Sequence, residues 1–204
     1  GSLWLAEFVW QALRTDALAQ LATYHAGHPT RWGMPREEWR SRLRLGAREA
    51  LAVLAALVAA GEVVEPRGGQ VRLVAHEPHL APAQEDAAQE LLARYHQQLF
   101  APPDRAEAER DVGTDAVAFF VERGDLVRVS PDILFAREAY ETGVSRLLAH
   151  LRVEGRLTVG QARDLLMTTR KYIVPLLEHL DAQRLTTRAG DDRVLGPAAN
   201  LEAS

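Results

Sequence analysis

The chain has 204 residues, 47% apolar and 25% charged, a globular composition with a formal net charge of −4. It contains no cysteine, which excludes disulfides, zinc–cysteine sites, iron–sulfur clusters and thiol nucleophiles. Its longest apolar run, Ala50 to Ala60, is too short to cross a bilayer, and no secretory signal pattern opens the sequence, so a cytoplasmic chain without a membrane partner is expected.

Gly1-Ser2 reads as the scar of a cleaved tag, and Leu3-Trp4-Leu5 as one edge strand left from a preceding domain. Glu7 to His28 then predicts a long helix, Pro35 to Leu45 a second and Ala47 to Ala60 a third, with Pro35 at a tolerated first-turn position. Glu62 to Glu65 and Gln70 to Val74 read as a hairpin around Pro66-Arg-Gly-Gly69. Two prolines stiffen the stretch Ala75 to Pro82. A second series follows: helices at Ala83 to Phe100, Asp104 to Asp111 and Thr114 to Arg123, then short strands at Leu126 to Val129 and Ile133 to Phe135. The turn Ser130-Pro131-Asp132 leaves this second hairpin almost no tip.

The third series is the clearest. Arg137 to Glu154 places Tyr140, Val144, Leu147, Leu148 and Leu151 on one helical face, and Gly155 stops it. Leu157-Thr-Val159 is extended, Gly160 to Met167 a short helix, and Thr168-Thr169 supply hydroxyls suited to capping the next helix, Arg170 to Gln183. Leu185 to Arg188 and Arg193 to Leu195 are strands around Ala189-Gly-Asp-Asp192.

The three series repeat. Val63, Leu126 and Leu185 hold matching positions 63 and 59 residues apart, the size of a small domain. The predicted fold is mainly α with small β-hairpins, a tandem array of three winged helix-turn-helix domains at residues 1–76, 77–135 and 136–204. Their net charges are +2, −7 and +1, so an acidic middle lies between two mildly basic ends. Phe135 runs almost directly into the next helix, so the second and third units are expected to have limited freedom.

No phosphate-binding loop, dinucleotide fingerprint or nucleophile elbow is present, and no catalytic constellation emerges. His25/His28 and His76/His79 read as solvated surface pairs without a third metal ligand, and Asp191-Asp192 as turn residues. The chemistry concentrates in Thr168-Thr-Arg-Lys-Tyr172 and in Arg188 to Arg193. Thr169, Arg170, Lys171 and Tyr172 fall in the first turn of a helix whose N-terminal amides and macrodipole favour phosphate. Two cations there are unfavourable for the helix alone and point to an anionic partner. Arg188 and Arg193 flank the wing and can reach the same side, while Tyr172 is read either as packing or as a base-stacking platform. The residues by themselves leave open an RNA-binding protein, a DNA-binding winged-helix regulator and a protein-interaction array.

The run Thr168-Thr-Arg-Lys-Tyr-Ile-Val-Pro-Leu-Leu-Glu-His-Leu-Asp181 with Leu185-Thr-Thr-Arg-Ala-Gly-Asp-Asp-Arg-Val-Leu195 resembles the last domain of the bacterial selenocysteine-specific elongation factors. Tyr24-His-Ala-Gly-His-Pro-Thr-Arg-Trp-Gly-Met-Pro-Arg-Glu-Glu38 resembles an upstream winged helix of the same family. The resemblance implies that residues 1–76 match the second of four winged helices, with 3–5 a remnant of the first. It implies that residues 136–204 bind an mRNA hairpin downstream of a UGA codon, through Thr168, Thr169, Arg170, Lys171, Tyr172, Arg188, Asp192 and Arg193. It further implies a monomer that works at the ribosome. GTP and Mg²⁺, GTP hydrolysis and selenocysteyl-tRNA would belong to a GTPase part outside this chain, which holds no cofactor and catalyses nothing itself. Family members commonly carry Gly or Ser where this chain has Thr168 and Thr169. An RNA loop suits the first turn better than a DNA groove would. Glu178 and Asp181, further along the helix, would repel DNA phosphates if they faced a major groove.

Overall fold

The computed structural model describes residues 2–66 and 68–200; Gly1, Arg67 and residues 201–204 lie outside the described residues. The chain divides into two compact units, residues 1–81 and 82–204.

In the first unit the long helix α1 spans Ser2–Gly27, so the edge strand expected at 3–5 is instead part of its opening turns. There follow β1 (Met34–Pro35), α2 (Arg36–Arg42), α3 (Ala47–Ala59), β2 (Val63–Val64) and β3 (Gln70–Leu73). The order β1-β3-β2 is antiparallel throughout, with Met34 opposite Val71 and Val63 opposite Leu73. Leu21, Met34, Trp39, Leu57, Val63 and Val71 fill the core, and the Trp39 indole donates to Ala17 O at 3.2 Å, so its N–H is buried with a partner. The stretch after β3 stays with this unit: His79 N donates to Pro29 O at 3.0 Å and Leu80 is buried.

His25 corrects the solvated-surface reading. It is 6% exposed, lies flat on His76 with ring centroids 3.8 Å apart, and accepts from Leu73 N through Nε2. Burial, then the adjacent His76 and Arg72, push its pKa down to about 4.

In the second unit α4 (Pro82–Gln97), α5 (Arg105–Val112), α6 (Thr114–Arg123), β4 (Leu126–Arg128) and β5 (Leu134–Ala136) make a winged helix with a two-stranded sheet. Asp104 caps α5 by accepting from Glu107 N at 3.0 Å, and Gly124, at φ 92°, ends α6 in the left-handed region that favours glycine. The second winged helix of this unit comprises α7 (Arg137–Glu154), β6 (Leu157–Thr158), α8 (Val159–Leu165), α9 (Arg170–Ala182), β7 (Thr186–Ala189) and β8 (Asp192–Leu195), closed by a 3₁₀ turn at Pro197–Asn200. Its sheet runs β6-β8-β7, and Thr158 and Gln161 form a reciprocal capping box at the start of α8.

The boundary expected at 135/136 separates two folds but not two cores. Val129, Ile133 and Phe135 of the first winged helix pack in one cluster with Leu147, Leu151, Ile173 and Leu176 of the second. No residue intervenes between β5 and α7, and Arg137 N is bonded back to Asp125 O at 2.8 Å. Every residue of β5 is buried, because it serves both winged helices.

Two stability predictions follow from these contacts. A Cβ at Gly196 would lie 2.1 Å from Arg184 O and 2.9 Å from Leu185 C, both backbone, so Gly196→Ala is expected to cost about 1–3 kcal/mol in urea unfolding followed by circular dichroism. His25 is held neutral while the unfolded chain takes up a proton below its ordinary value of 6.5. Folding of the first unit should therefore weaken as pH falls from 6.5 toward about 4, by about 2 kcal/mol more than in His25→Gln, which keeps an acceptor for Leu73 N. All four tryptophans, at 4, 10, 32 and 39, lie in this unit, so indole fluorescence in urea reads it alone; equal pH sensitivity of the two chains would refute the assignment.

Candidate nucleic-acid interface

The residues singled out in the sequence divide into three groups in the structure: those left open at the start of α9, those held against the preceding winged helix, and those that build the wing. Helix α9 starts at Arg170 with Thr169 as its N-cap residue in extended conformation. The capping expected of the two threonine hydroxyls is not what forms. Thr169 makes no side-chain cap and is exposed, while the Thr168 hydroxyl donates across to Phe100 O. Tyr172 N and Ile173 N both donate to Thr169 O, at 3.1 and 3.0 Å, which leaves the amides of Arg170 and Lys171 without an intrahelical acceptor, as at any helix start. Pro175 lies inside the helix and removes the N–H that would have bonded Lys171 O.

Arg170 is exposed and makes no ion pair with any described residue. Lys171 is exposed too, but its Nζ lies 3.3 Å from Asp104 Oδ2 and 5.2 Å from the centre of the Tyr172 ring. The bond to Asp104 holds the ammonium pKa above its ordinary value. Asp104 is held low in turn, first by Glu107 N and then by Lys171.

For Tyr172 the structure shows packing rather than an open stacking face. The ring is half-buried, meets Phe135 edge-on at 6.4 Å, and its hydroxyl donates to Pro102 O at 3.0 Å. Tyr95, fully buried in α4, donates to the next carbonyl, Pro103 O, at 3.0 Å. Two successive proline carbonyls thus accept one tyrosine hydroxyl from each winged helix. Thr168 is likewise half-buried at this seam.

The wing corrects the expectation for Arg193. Its side chain is 6% exposed and donates from Nε to Asp181 Oδ2 at 3.1 Å, while the buried Thr186 hydroxyl donates to Asp181 Oδ1 at 2.5 Å. A buried guanidinium must be paired, and Asp181, near the end of α9, pairs it. This carboxylate therefore ties the hairpin to the helix. Arg188 stands opposite Arg193 in register but is exposed, with Nε donating to Gly190 O at 3.0 Å. Asp192 is half-buried, with Arg156 Nη1 3.5 Å from its Oδ2.

Of the cations in these segments Arg170 and Arg188 are exposed without an ion pair among the described residues, whereas Arg156 is engaged by Asp192 and Lys171 by Asp104. Sequence reasoning passed over two of these residues. Arg156 follows the glycine stop of α7 and carried no motif, and Asp104 carried only the D-x-x-E pattern of a helix cap. Arg193→Ala is expected to lower stability by about 2–3 kcal/mol in urea unfolding by leaving Asp181 without its guanidinium.

Comparison with known proteins bears on both units. Residues 18–73 and residues 149–195 match models described as "Elongation factor SelB, winged helix", and together they span half of the chain. A curated selenocysteine-specific elongation factor of Desulfomicrobium baculatum is 28% identical over 193 residues, which is 91% of this chain and 30% of that protein. The chain thus spans under a third of the relative's length. A crystal structure of the bacterial selenocysteine-specific elongation factor EF-Sec aligns over 92% of this chain and 30% of its own, with a TM-score of 0.52 and 19% identity. The mRNA-binding domain of elongation factor SelB from E. coli, solved with SECIS RNA, aligns over 57% of this chain and 99% of its own, with a TM-score of 0.43 and 19% identity. With SelB winged-helix models matched in both compact units and 91% of the chain aligned to a selenocysteine-specific factor, the chain belongs to the winged-helix region of the SelB elongation-factor family.

Proposed function

We propose that this chain is the mRNA-hairpin reader of a selenocysteine-specific elongation factor, tethering the rest of that factor beside a UGA codon at the ribosome. The observation that carries the reading is the start of α9, where Arg170 is exposed and unpaired among the described residues beside two helix amides without an intrahelical acceptor. That arrangement suits a short phosphate bend with one or two splayed loop bases, since an A-form major groove is too narrow for side chains. Binding is assigned to residues 136–204, supported from behind by the preceding winged helix, and the chain acts as a monomer.

The role is recognition. The factor's guanine nucleotide and Mg²⁺, and its selenocysteyl-tRNA, would be held by parts of the factor beyond these residues. The residues here do not fit a nucleotide: the single lysine, Lys171, follows Thr169-Arg170 rather than a glycine-rich loop. Among the described residues no helix is long and apolar enough to cross a membrane.

The test is fluorescence anisotropy on selenocysteine-type hairpins with native and scrambled loops, with duplex DNA as competitor. Arg170→Ala is expected to cost about 1–3 kcal/mol on the native loop and little on the scrambled one if Arg170 reads a base. Wild-type affinity in that variant, or duplex DNA outcompeting the hairpin, would overturn the reading.

A further inference from the structure

The middle winged helix is strongly acidic, and Glu107, Glu109 and Asp111 are paired with its own arginines. Arg94 binds Glu107 and Asp111, and Arg105 binds Glu109 at 2.7 Å. Asp104 is different, because its two oxygens have separate tasks. Oδ1 accepts Glu107 N at 3.0 Å and so caps α5. Oδ2 reaches 3.3 Å across to Lys171 Nζ in the first turn of α9. Capping needs only an oxygen, and Asn caps as well as Asp. Asn at this position can therefore keep the bond to Glu107 N while removing the charge. That charge stands against a cation of the candidate RNA site, within a rigid unit whose seam is fixed independently by Tyr172–Pro102 and Thr168–Phe100.

We propose that Asp104 is an affinity-setting residue of the RNA site, competing with RNA phosphate for the Lys171 ammonium. This rests on the hairpin-reading function above. Lys171 cannot give its charge fully to both, and any phosphate that takes it must displace or approach Asp104. The middle winged helix thereby weakens backbone binding, which is indifferent to sequence, and leaves Arg170 to discriminate between loops. Because the pair is exposed, the effect is modest and screened by salt.

The experiment uses the full chain with Asp104→Asn, Lys171→Ala and the double variant, with folding checked by circular dichroism. Asp104→Asn is expected to tighten binding of scrambled-loop hairpins about two- to fivefold at low salt, and the gain should fade as salt rises. In the Lys171→Ala background the gain should vanish, and Lys171→Ala itself should flatten the logarithmic salt slope by roughly 0.7–0.9. Unchanged or weaker binding by Asp104→Asn, or a gain that persists without Lys171, overturns the proposal.

A second readout needs no RNA. Lys171 is the only lysine in the sequence, so acetylation by an N-hydroxysuccinimide ester, read by peptide mass spectrometry, reports this amine directly. Asp104→Asn should speed that acetylation about two- to fivefold by releasing the ammonium; an unchanged rate overturns the competition. Added hairpin should protect Lys171. Absence of both protection and binding in wild type, with Arg170→Ala indistinguishable, overturns the hairpin-reading function itself. Faster labelling in Asp104→Asn would then still register the Asp104–Lys171 pair, so the two failures are told apart.

Discussion

The placement of α9 depends on a need common to all tyrosines out of water: the hydroxyl must find an acceptor. Tyr172 finds its acceptor outside its own winged helix, on Pro102. A proline pair is well suited to provide it. Pro102 precedes a proline and is kept out of the helical region, so the carbonyls of Pro102 and Pro103 lie between α4 and α5 and are free to accept. Tyr95 takes one and Tyr172 the other, and the segment between α4 and α5 becomes a shared rail for both winged helices. The position of α9, and hence of Arg170, follows from that rail and from the buried strand β5 behind it.

Charge is arranged on the same principle of local satisfaction. The acidic middle keeps its net charge of −7, but Arg94 holds Glu107 and Asp111 and Arg105 holds Glu109 in local pairs. At the wing, Asp181 collects Arg193 and Thr186 and so spends its charge on holding the hairpin to α9. At the start of α9 one guanidinium remains open, that of Arg170. In the proposed hairpin-reading role, affinity would rest on geometry more than on net charge, since the overall charge of the chain is negative.

Much of the fold was legible in the residues. The span of α7 follows from its apolar stripe and from Gly155, which adopts φ 74° at the stop. The hairpins follow from their turn chemistry, and the repeat of about 60 residues sets the architecture. Two-residue strands such as β1 and β6 have no periodicity to read and become visible only through their partners, Gln70–Val71 and Asp192–Arg193. The apolar Leu3-Trp4-Leu5 suits a strand as well as a helix, and the continuity of α1 decides it. At the site, Arg170 and Lys171 were legible because cations are out of place at a helix start. The partners of Thr168, Lys171 and Tyr172 were not, since each lies 67 to 70 residues away in a different winged helix. Nor was the burial of Arg193, because a guanidinium in a wing looks the same whether it points at solvent or at Asp181.

The direct passage from β5 into α7 also has a mechanical meaning. Ala136 ends the strand, Arg137 begins the helix, and Arg137 is bolted to Asp125 O and Gly124 O on the far side of the hairpin. A hinge needs a few residues free to change φ and ψ, and there are none here. A pull on any ligand gripped at the start of α9 would load β4 and β5 in shear along their ladder rather than swing one domain about the other. The joint is built to pass force onward, and slack in the chain would have to come from some other segment.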